Sequence, residues 1–187
     1  MRETAMLRFT RLAAVAGPSI VALALAGCAP LSVNSYLERG ADVSRYRSYA
    51  WAENGAFATG DPRLDNNRFF TQRIEDAVDM QLAARGFAKT NTDAADVLLH
   101  IHARMDQRLD TTDIDRIDGR CLDNECRPEV YDTGTLMVDF MDRRTNRLAW
   151  RGWAERSFDG VIDDQKWMET TIDKTVARIL ERLPRQQ

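Results

Sequence analysis

The chain has 187 residues, with 26 lysines and arginines against 29 aspartates and glutamates, for a net charge of -3. Acidic and basic residues alternate along it, and no basic run is present that would indicate a nucleic-acid partner. Apart from one apolar segment at the amino terminus, nothing in the sequence approaches the length of a membrane-spanning helix.

The amino terminus has the pattern of a secretory signal peptide. Three arginines lie within the first eleven residues, and an apolar run of about 15 residues follows from 12 to 26. This run is short for a membrane-spanning helix, which needs about 20 apolar residues, and Gly17-Pro18 interrupts it. We therefore predict that residues 1–27 are removed on export.

The segment Leu25-Ala26-Gly27-Cys28 resembles the bacterial lipobox. The resemblance implies cleavage before Cys28, diacylglycerol on its sulfur, and acylation of the new amino terminus, with palmitate as the expected acyl group. Several acyl chains at about 0.8 kcal/mol per buried methylene would hold the protein on a membrane. Ala29 is not the aspartate that favours the inner membrane in enterobacterial lipoproteins, so we expect the outer membrane, facing the periplasm. The alternative is an ordinary signal peptide, with Cys28 an incidental thiol.

The mature chain of about 160 residues is long enough for one domain with its own core. Its net charge becomes about -5, because three arginines and one glutamate leave with the signal peptide. Residues 28–44 show no clear periodicity, and we predict a lipidated tether there. Residues 45–187 are predicted to form a single α/β domain.

The first half of this domain predicts a strand, a helix and two further strands. Residues 46–51 alternate as a strand, with Arg47, Tyr49 and Trp51 on one face. Helical spacing follows, with a cap at Asn66 or Asn67 and a stop at Gly86; its apolar positions are Phe70, Ile74, Ala77, Val78 and Leu82. A short strand is expected at 87–90. A long one over about 96–107 carries Val97, Leu99, Ile101, Ala103 and Met105 on one face.

Cys121 and Cys126 lie in the acidic loop that follows. In an oxidising periplasm two cysteines this close are expected to form a disulfide, which closes a small loop. Half of a metal site is the alternative, but no second pair of cysteines lies nearby. The loop is also faintly similar to a calcium-binding loop, although its spacing is wrong for one, and a solvated acidic loop is expected instead.

The remaining sequence predicts a hairpin and a final helix. Leu136, Val138 and Phe140 alternate with polar positions, and 143–146 is a turn. The returning strand is predicted to place Leu148, Trp150, Ala154 and Phe158 on the core side, and Arg151, Trp153 and Glu155 on the other. The last helix has an apolar face of Met168, Ile172, Val176, Ile179 and Leu183.

Two amphipathic helices and one amphipathic sheet predict an α+β fold. We expect a two-layer α/β sandwich, with a mostly antiparallel sheet and both helices packed on one of its faces. The second face of the sheet should be at least partly wet.

The hairpin contains Gly134-Thr135-Leu136-Met137-Val138-Asp139-Phe140, then Asp142, Thr145, Leu148, Trp150 and Arg151-Gly152-Trp153. These residues resemble a known family, the bacterial envelope lipoproteins of domain-of-unknown-function family 4136. Tyr49-Ala50-Trp51, the strand at 95–99 and the final helix agree with it. The resemblance covers about residues 45–183. It implies an envelope lipoprotein and supplies no activity.

His100 and His102 are the only histidines in the chain. Alternation places both on one strand face, about 7 Å apart at the backbone, where they are weak candidates for metal ligands. Asp139 and Glu155 face the same way and offer carboxylates. The alternative is two polar residues on a wet sheet face. Because a tight site needs three or four ligands, we expect no metal and no other cofactor.

An aromatic binding face is the second candidate site. Trp153 and Arg151 are predicted to be exposed together with Tyr49 or Trp51, as a patch that would stack on a sugar ring or receive a protein. The alternative is that Trp153 packs against the tether or a loop.

The sequence contains no catalytic signature. Neither a Gly-x-Ser-x-Gly elbow nor a phosphate-binding glycine loop is present, and no pair of carboxylates is singled out. We therefore expect a non-enzymatic lipoprotein, anchored to the membrane through Cys28, that is an accessory or binding component of an envelope complex. The alternative is a periplasmic module that binds a small ligand or a glycan.

Overall fold

The structure is a computed structural model and describes residues 31–52, 58–110, 129–158 and 160–186. The predictions for the signal peptide, Cys28, Cys121 and Cys126 lie outside these residues. In chain order the elements are β1 (Ser32–Leu37), a 3-10 turn (Val43–Arg45), β2 (Ser48–Trp51), α1 (Arg68–Ala84), β3 (Ala88–Lys89), β4 (Val97–Asp110), β5 (Glu129–Asp142), β6 (Arg147–Ser157) and α2 (Gln165–Leu180).

The six strands form one open sheet in the order β1-β6-β5-β4-β2-β3. The three pairings from β1 to β4 are antiparallel, while β2 pairs parallel with both β4 and β3. The helix α1 connects the parallel neighbours β2 and β3, as a parallel connection requires. The predicted α+β sandwich with a mostly antiparallel sheet is confirmed.

Both helices begin at side-chain caps and bury one face. Asn67 caps α1 by accepting hydrogen bonds from the backbone N–H groups of Phe69 and Phe70. Asp164 caps α2 in the same way through the N–H of Trp167. After α1 the chain turns at Gly86, whose φ of +87° favours glycine. No helix in the described part of the chain is both long and apolar enough to cross a membrane.

The core lies between the helices and one face of the sheet. Phe140 is at its centre, in edge-on contact with Phe87 and Trp150 at ring-centre distances of 6.2 and 5.2 Å. Such edge-to-face pairs contribute about 0.5–1.5 kcal/mol beyond burial alone. All five apolar positions predicted for the last helix are buried, although Leu183 lies just after the end of α2.

The prediction of a tether over residues 28–44 is wrong for residues 32–37, which form the strand β1. Residues 32–37 extend the sheet by pairing antiparallel with β6, from Ser32 opposite Glu155 to Leu37 opposite Trp150. Val43 is also buried in the core. The strand escaped prediction because it is an edge strand held mainly by backbone hydrogen bonds, so its sequence shows no apolar alternation.

The predicted core position of Leu148 is also wrong. A β-bulge shifts the register between β5 and β6, so Phe140 lies opposite Trp150 while Met141 lies opposite Leu148. Ala149 is the extra residue, and it is buried in place of Leu148. One inserted residue moves the side chains that precede it in β6 to the opposite face of the sheet. A pattern of simple alternation does not show such an insertion.

β4 and β5 continue beyond the rest of the sheet. β6 ends at Ser157, opposite Thr133, whereas the pairing of β4 with β5 runs on to Asp110 and Glu129. Residues 107–110 and 129–132 therefore form a two-stranded extension, which we call the ribbon.

Candidate functional site

The helices pack on the face of the sheet that carries Leu99 and Val138, and among the described residues no helix packs on the other face. We call this second face the open face. Strand alternation and register place mainly polar and aromatic side chains from β1, β6, β5 and β4 on this face. Its central members are Asn34, Tyr36, His100, His102, Met137, Asp139, Arg151 and Trp153.

Asp139 is the buried centre of the open face. Arg151 is its direct neighbour on β6 and donates two hydrogen bonds, from Nε at 2.7 Å and from Nη2 at 2.6 Å. The Asp139 side chain is 4% exposed and that of Arg151 is 37% exposed. The hydrogen bonds to Asp139 raise the pKa of Arg151. A paired, two-pronged contact of this kind neutralises the buried carboxylate and fixes the guanidinium plane.

The two histidines flank Asp139. His100 lies directly opposite it on β4, and His102 Nε2 lies 3.6 Å from Asp139 Oδ2. The described residues contain no group of three or more His, Cys, Asp or Glu side chains placed to hold a metal ion. Asp139 is already engaged by Arg151, so the arrangement found is an ion pair bordered by imidazoles.

Trp153 lies next to this centre and is half-buried. Its neighbours across the strands are Met137 on β5 and Asn34 on β1. Tyr36, opposite Arg151 on β1, is 46% exposed, and its hydroxyl donates to Glu38 at 2.6 Å. Tyr36, Arg151 and Trp153 thus form one aromatic and cationic patch on the open face, bordered by Met137.

The predicted grouping of Tyr49 and Trp51 with Trp153 is wrong. Both belong to the helix-covered side, because Tyr49 lies opposite Val97 and Trp51 opposite Leu99. Tyr49 is 1% exposed. The Tyr49 hydroxyl and Trp51 Nε1 donate to the same oxygen of Asp79 on α1, at 2.8 and 3.0 Å, and burial raises the pKa of Tyr49. These two hydrogen bonds join β2 to α1.

Tyr36 was not predicted as a site residue, because it lies in the predicted tether. A polar cleft of about 300 Å³ beside the β5–β6 turn was not predicted either. Tyr46 lies in this cleft and donates to Asp142 at 2.8 Å. Four arginines line it, with Glu38, Asp42 and Asp142 as the acidic members: Arg39, Arg45, Arg144 and Arg147. No sequence signal brings these residues together, because they come from two separate turns.

An apolar pocket lies on the other side of the sheet, between the starts of the helices and β4. Leu64, Phe70 and Ile172 line it, with the buried hydroxyls of Thr171 and Thr175. Its free volume is about 30 Å³, which holds a water molecule or two and not a sugar ring.

These features define a small two-layer α+β domain with one sheet face covered by helices and the other displaying an aromatic and charged patch. The chain belongs to the family described as Domain of unknown function (DUF4136), which matches residues 33–185. The resemblance inferred from the sequence is confirmed. A comparison with curated proteins found no match.

Solved structures share the fold. A DUF4136 family protein from Bacteroides thetaiotaomicron matches 81% of this chain and 95% of its own, with 10% identity and a TM-score of 0.53. A PDZ domain protein from Parabacteroides distasonis matches 85% of this chain at 12% identity and a TM-score of 0.51. Only 36% of that second protein is covered, so this chain spans about a third of its length. At such identities the likeness shows a shared fold alone.

Proposed function

We propose that this protein is a lipid-anchored, non-enzymatic component of the bacterial cell envelope that binds another envelope protein through its open face. The lipobox at Cys28 supports the anchor, and the outer membrane facing the periplasm is the proposed location. The absence of a catalytic motif from the sequence supports a binding role. The aromatic and cationic patch on the open face supports the choice of that face as the binding surface.

The observation that carries the proposal is the patch of Tyr36, Met137, Arg151 and Trp153. Aromatic residues, methionine and arginine are the types enriched in protein–protein interfaces. Here they lie side by side on adjacent strands, and the buried ion pair with Asp139 fixes Arg151 in place. A rigid, partly apolar surface loses little side-chain entropy on binding, which favours a specific protein partner.

Site-specific photocrosslinking in intact cells tests this proposal. The photoreactive amino acid benzoyl-phenylalanine replaces Tyr36 in the lipidated protein, and a matched copy carries it at Met80, which is 57% exposed on α1. We expect a defined protein adduct from position 36 and none from position 80. Equal adducts from both positions, or none from position 36, would reject the open face as the binding surface.

Anchoring is tested separately in a Cys28→Ala copy. We expect this copy to leave the membrane fraction and to lose the mass of the acyl chains. A Cys28→Ala copy that stays in the membrane fraction, and whose mass differs from wild type only by the replaced side chain, would refute lipidation at Cys28.

The polar cleft favours a second candidate function, the binding of a small anionic ligand or an acidic glycan. Its volume of about 300 Å³ is suited to a small polar molecule, and its arginines offer hydrogen bonds to carboxylates or phosphates. Thermal unfolding with an oligomer of galacturonic acid, compared with a neutral glucose oligomer, tests this. A stabilisation specific to the acidic oligomer, lost in Arg144→Gln and kept in Arg104→Gln, is the expected result.

A further inference from the structure

Exposed apolar side chains are concentrated at one end of the domain. Among the described residues seven large apolar side chains are exposed, and four of them belong to the ribbon or to the first turns of the helices. These are Leu109 and Val130, at 61% and 59% exposure, and Phe69 and Trp167, at 42% and 46%. Leu109 and Val130 lie directly opposite one another, so they form one apolar pair on the ribbon.

Backbone hydrogen bonds place the segments that lead into both helices beside the base of the ribbon. Met105 N–H donates to the carbonyl of Thr59, in the segment that leads into α1, at 2.7 Å. Phe158 N–H, in the segment that leads into α2, donates to the carbonyl of Asp132, also at 2.7 Å. The first turns of α1 and α2 and the ribbon therefore lie at one end, which we call the ribbon end.

The strand β1 begins near the base of the ribbon. Ser32 lies opposite Glu155, which lies opposite Thr135, which lies opposite Arg104. Beyond the level of Arg104, β4 runs on for six residues, or about 20 Å of extended strand. In the other direction, its first residue Val97 lies about 23 Å away.

The position of Cys28 sets the distance to the bilayer. Ser32 is the fourth residue after Cys28, so the fully extended linker spans at most about 14 Å. The opposite end of the sheet lies about 23 Å from the level of Ser32, which is further than the linker reaches. That end therefore cannot face the bilayer while the acyl chains of Cys28 are in the membrane. The ribbon extends about 20 Å beyond the level of Ser32, which is more than the distance by which the linker can separate Ser32 from the bilayer.

We infer that the ribbon end rests on the bilayer and that Leu109, Val130, Phe69 and Trp167 enter the headgroup region. This inference rests on the proposed lipidation of Cys28. An indole ring is suited to the boundary between headgroups and acyl chains, and the three other side chains are apolar. Charges of both signs lie nearby, such as the pair of Arg63 and Asp163. The open face then stands upright above the membrane, accessible from the side.

Fluorescence quenching by brominated lipids tests this contact. The lipidated full chain is reconstituted into phosphatidylethanolamine–phosphatidylglycerol vesicles with bromine on the acyl chains near the headgroup. The protein has four tryptophans, so wild type is compared with Trp167→Phe and with Trp153→Phe as the matched control. We expect strong quenching in wild type and in Trp153→Phe, and its loss in Trp167→Phe.

A second pair of variants tests the ribbon. Leu109→Ser combined with Val130→Ser should reduce the quenching of Trp167 to less than half, while Met80→Ser should leave it unchanged. Equal quenching in wild type and Trp167→Phe, or no quenching in lipidated wild-type protein, would overturn the inference, and so would a protein adduct from a photocrosslinker at position 109. Intact mass distinguishes the two failures, because protein without acyl chains refutes the anchor and lipidated protein without quenching refutes only the contact.

Discussion

Asp139 and Arg151 face each other across β5 and β6 and are joined by two hydrogen bonds of 2.7 and 2.6 Å. The carboxylate is buried on a sheet face that carries no helix among the described residues, and His102 Nε2 lies 3.6 Å from it beside the ion pair. The ion pair therefore belongs both to the stability of the sheet and to the shape of the proposed binding surface.

Arg151→Ala should lower the free energy of unfolding by roughly 3 kcal/mol, the low end of the range for breaking a buried pair, because Arg151 itself is partly exposed. Urea titration measures the change. Arg104→Ala, which removes the exposed pair with Asp106, is the control and should cost less than about 1 kcal/mol. Equal losses in the two variants would mean that the burial of Asp139 carries no energetic weight.

Gly152→Ala should destabilise the protein by about 1–3 kcal/mol through overpacking. A Cβ at position 152 would overlap the ring of Trp150 and lie 2.7 Å from Ile179 Cγ2 on α2. Thermal unfolding reports the effect, with Ser35→Ala, the exposed neighbour of Gly152 on β1, as a control expected to stay within about 0.5 kcal/mol. An unchanged melting temperature in Gly152→Ala would contradict the tight packing of α2 on β6.

Asp79→Ala should cost about 1.5–3 kcal/mol per hydrogen bond lost to a charged group, most of it from Tyr49. This variant leaves the buried Tyr49 hydroxyl without its acceptor and also frees Lys89 Nζ, which lies 2.8 Å from Asp79 Oδ2. Near-ultraviolet circular dichroism and urea titration measure it. Asp76→Ala, an exposed carboxylate on the same helix, should have little effect, and a loss as large as that of Asp79→Ala would argue against the hydrogen-bond network.

Acid should destabilise the fold below about pH 4. Burial raises the pKa of Asp96, but hydrogen bonds from Ser48 and from the backbone N–H of Arg47 outweigh it and leave the pKa of Asp96 below its usual value. A carboxylate with a lowered pKa in the folded state stabilises the protein above its unfolded pKa of about 3.9, and this stability is lost as the pH falls through the folded value. Urea midpoints between pH 7 and pH 2.5 should show this decline, with a shallower slope in Asp96→Asn. Identical slopes would exclude Asp96 as a source.

Cys121 and Cys126 should form a disulfide in protein that has been exported to the periplasmic side of the membrane. With Cys28 lipidated, alkylation under denaturing conditions should label no thiol before reduction and two thiols afterwards. A Cys121→Ser copy should carry one reactive thiol without reduction. Two labelled thiols in unreduced wild type would show that the pair stays reduced.

Much of the fold follows from periodicity. The cap of α1, the buried faces of α1 and α2, and the alternation along β4 and β5 could all be predicted from local sequence. The interior side of Trp150 and the outward side of Asp139 were predicted for the same reason. Each of these elements has enough apolar positions to show which of its faces is buried.

The failures have two physical sources. Leu148 and Ala149 exchange places because of a bulge, a backbone irregularity with no composition of its own. Tyr49 and Trp51 were assigned to the wrong side of the sheet because their polar atoms suit either a wet surface or a buried carboxylate. Only the partner Asp79, which is remote in sequence, decides between the two.

The strand β1 joins the predicted anchor directly to the sheet, and this determines how the domain bears tension. A pull between Cys28 and a partner on the open face would act along the axis of β1, so its hydrogen bonds to β6 would be sheared together instead of opened one at a time. Strands loaded in this way break only when many bonds fail at once. The predicted lipid anchor would thus be joined to the domain in the direction in which a sheet resists force best.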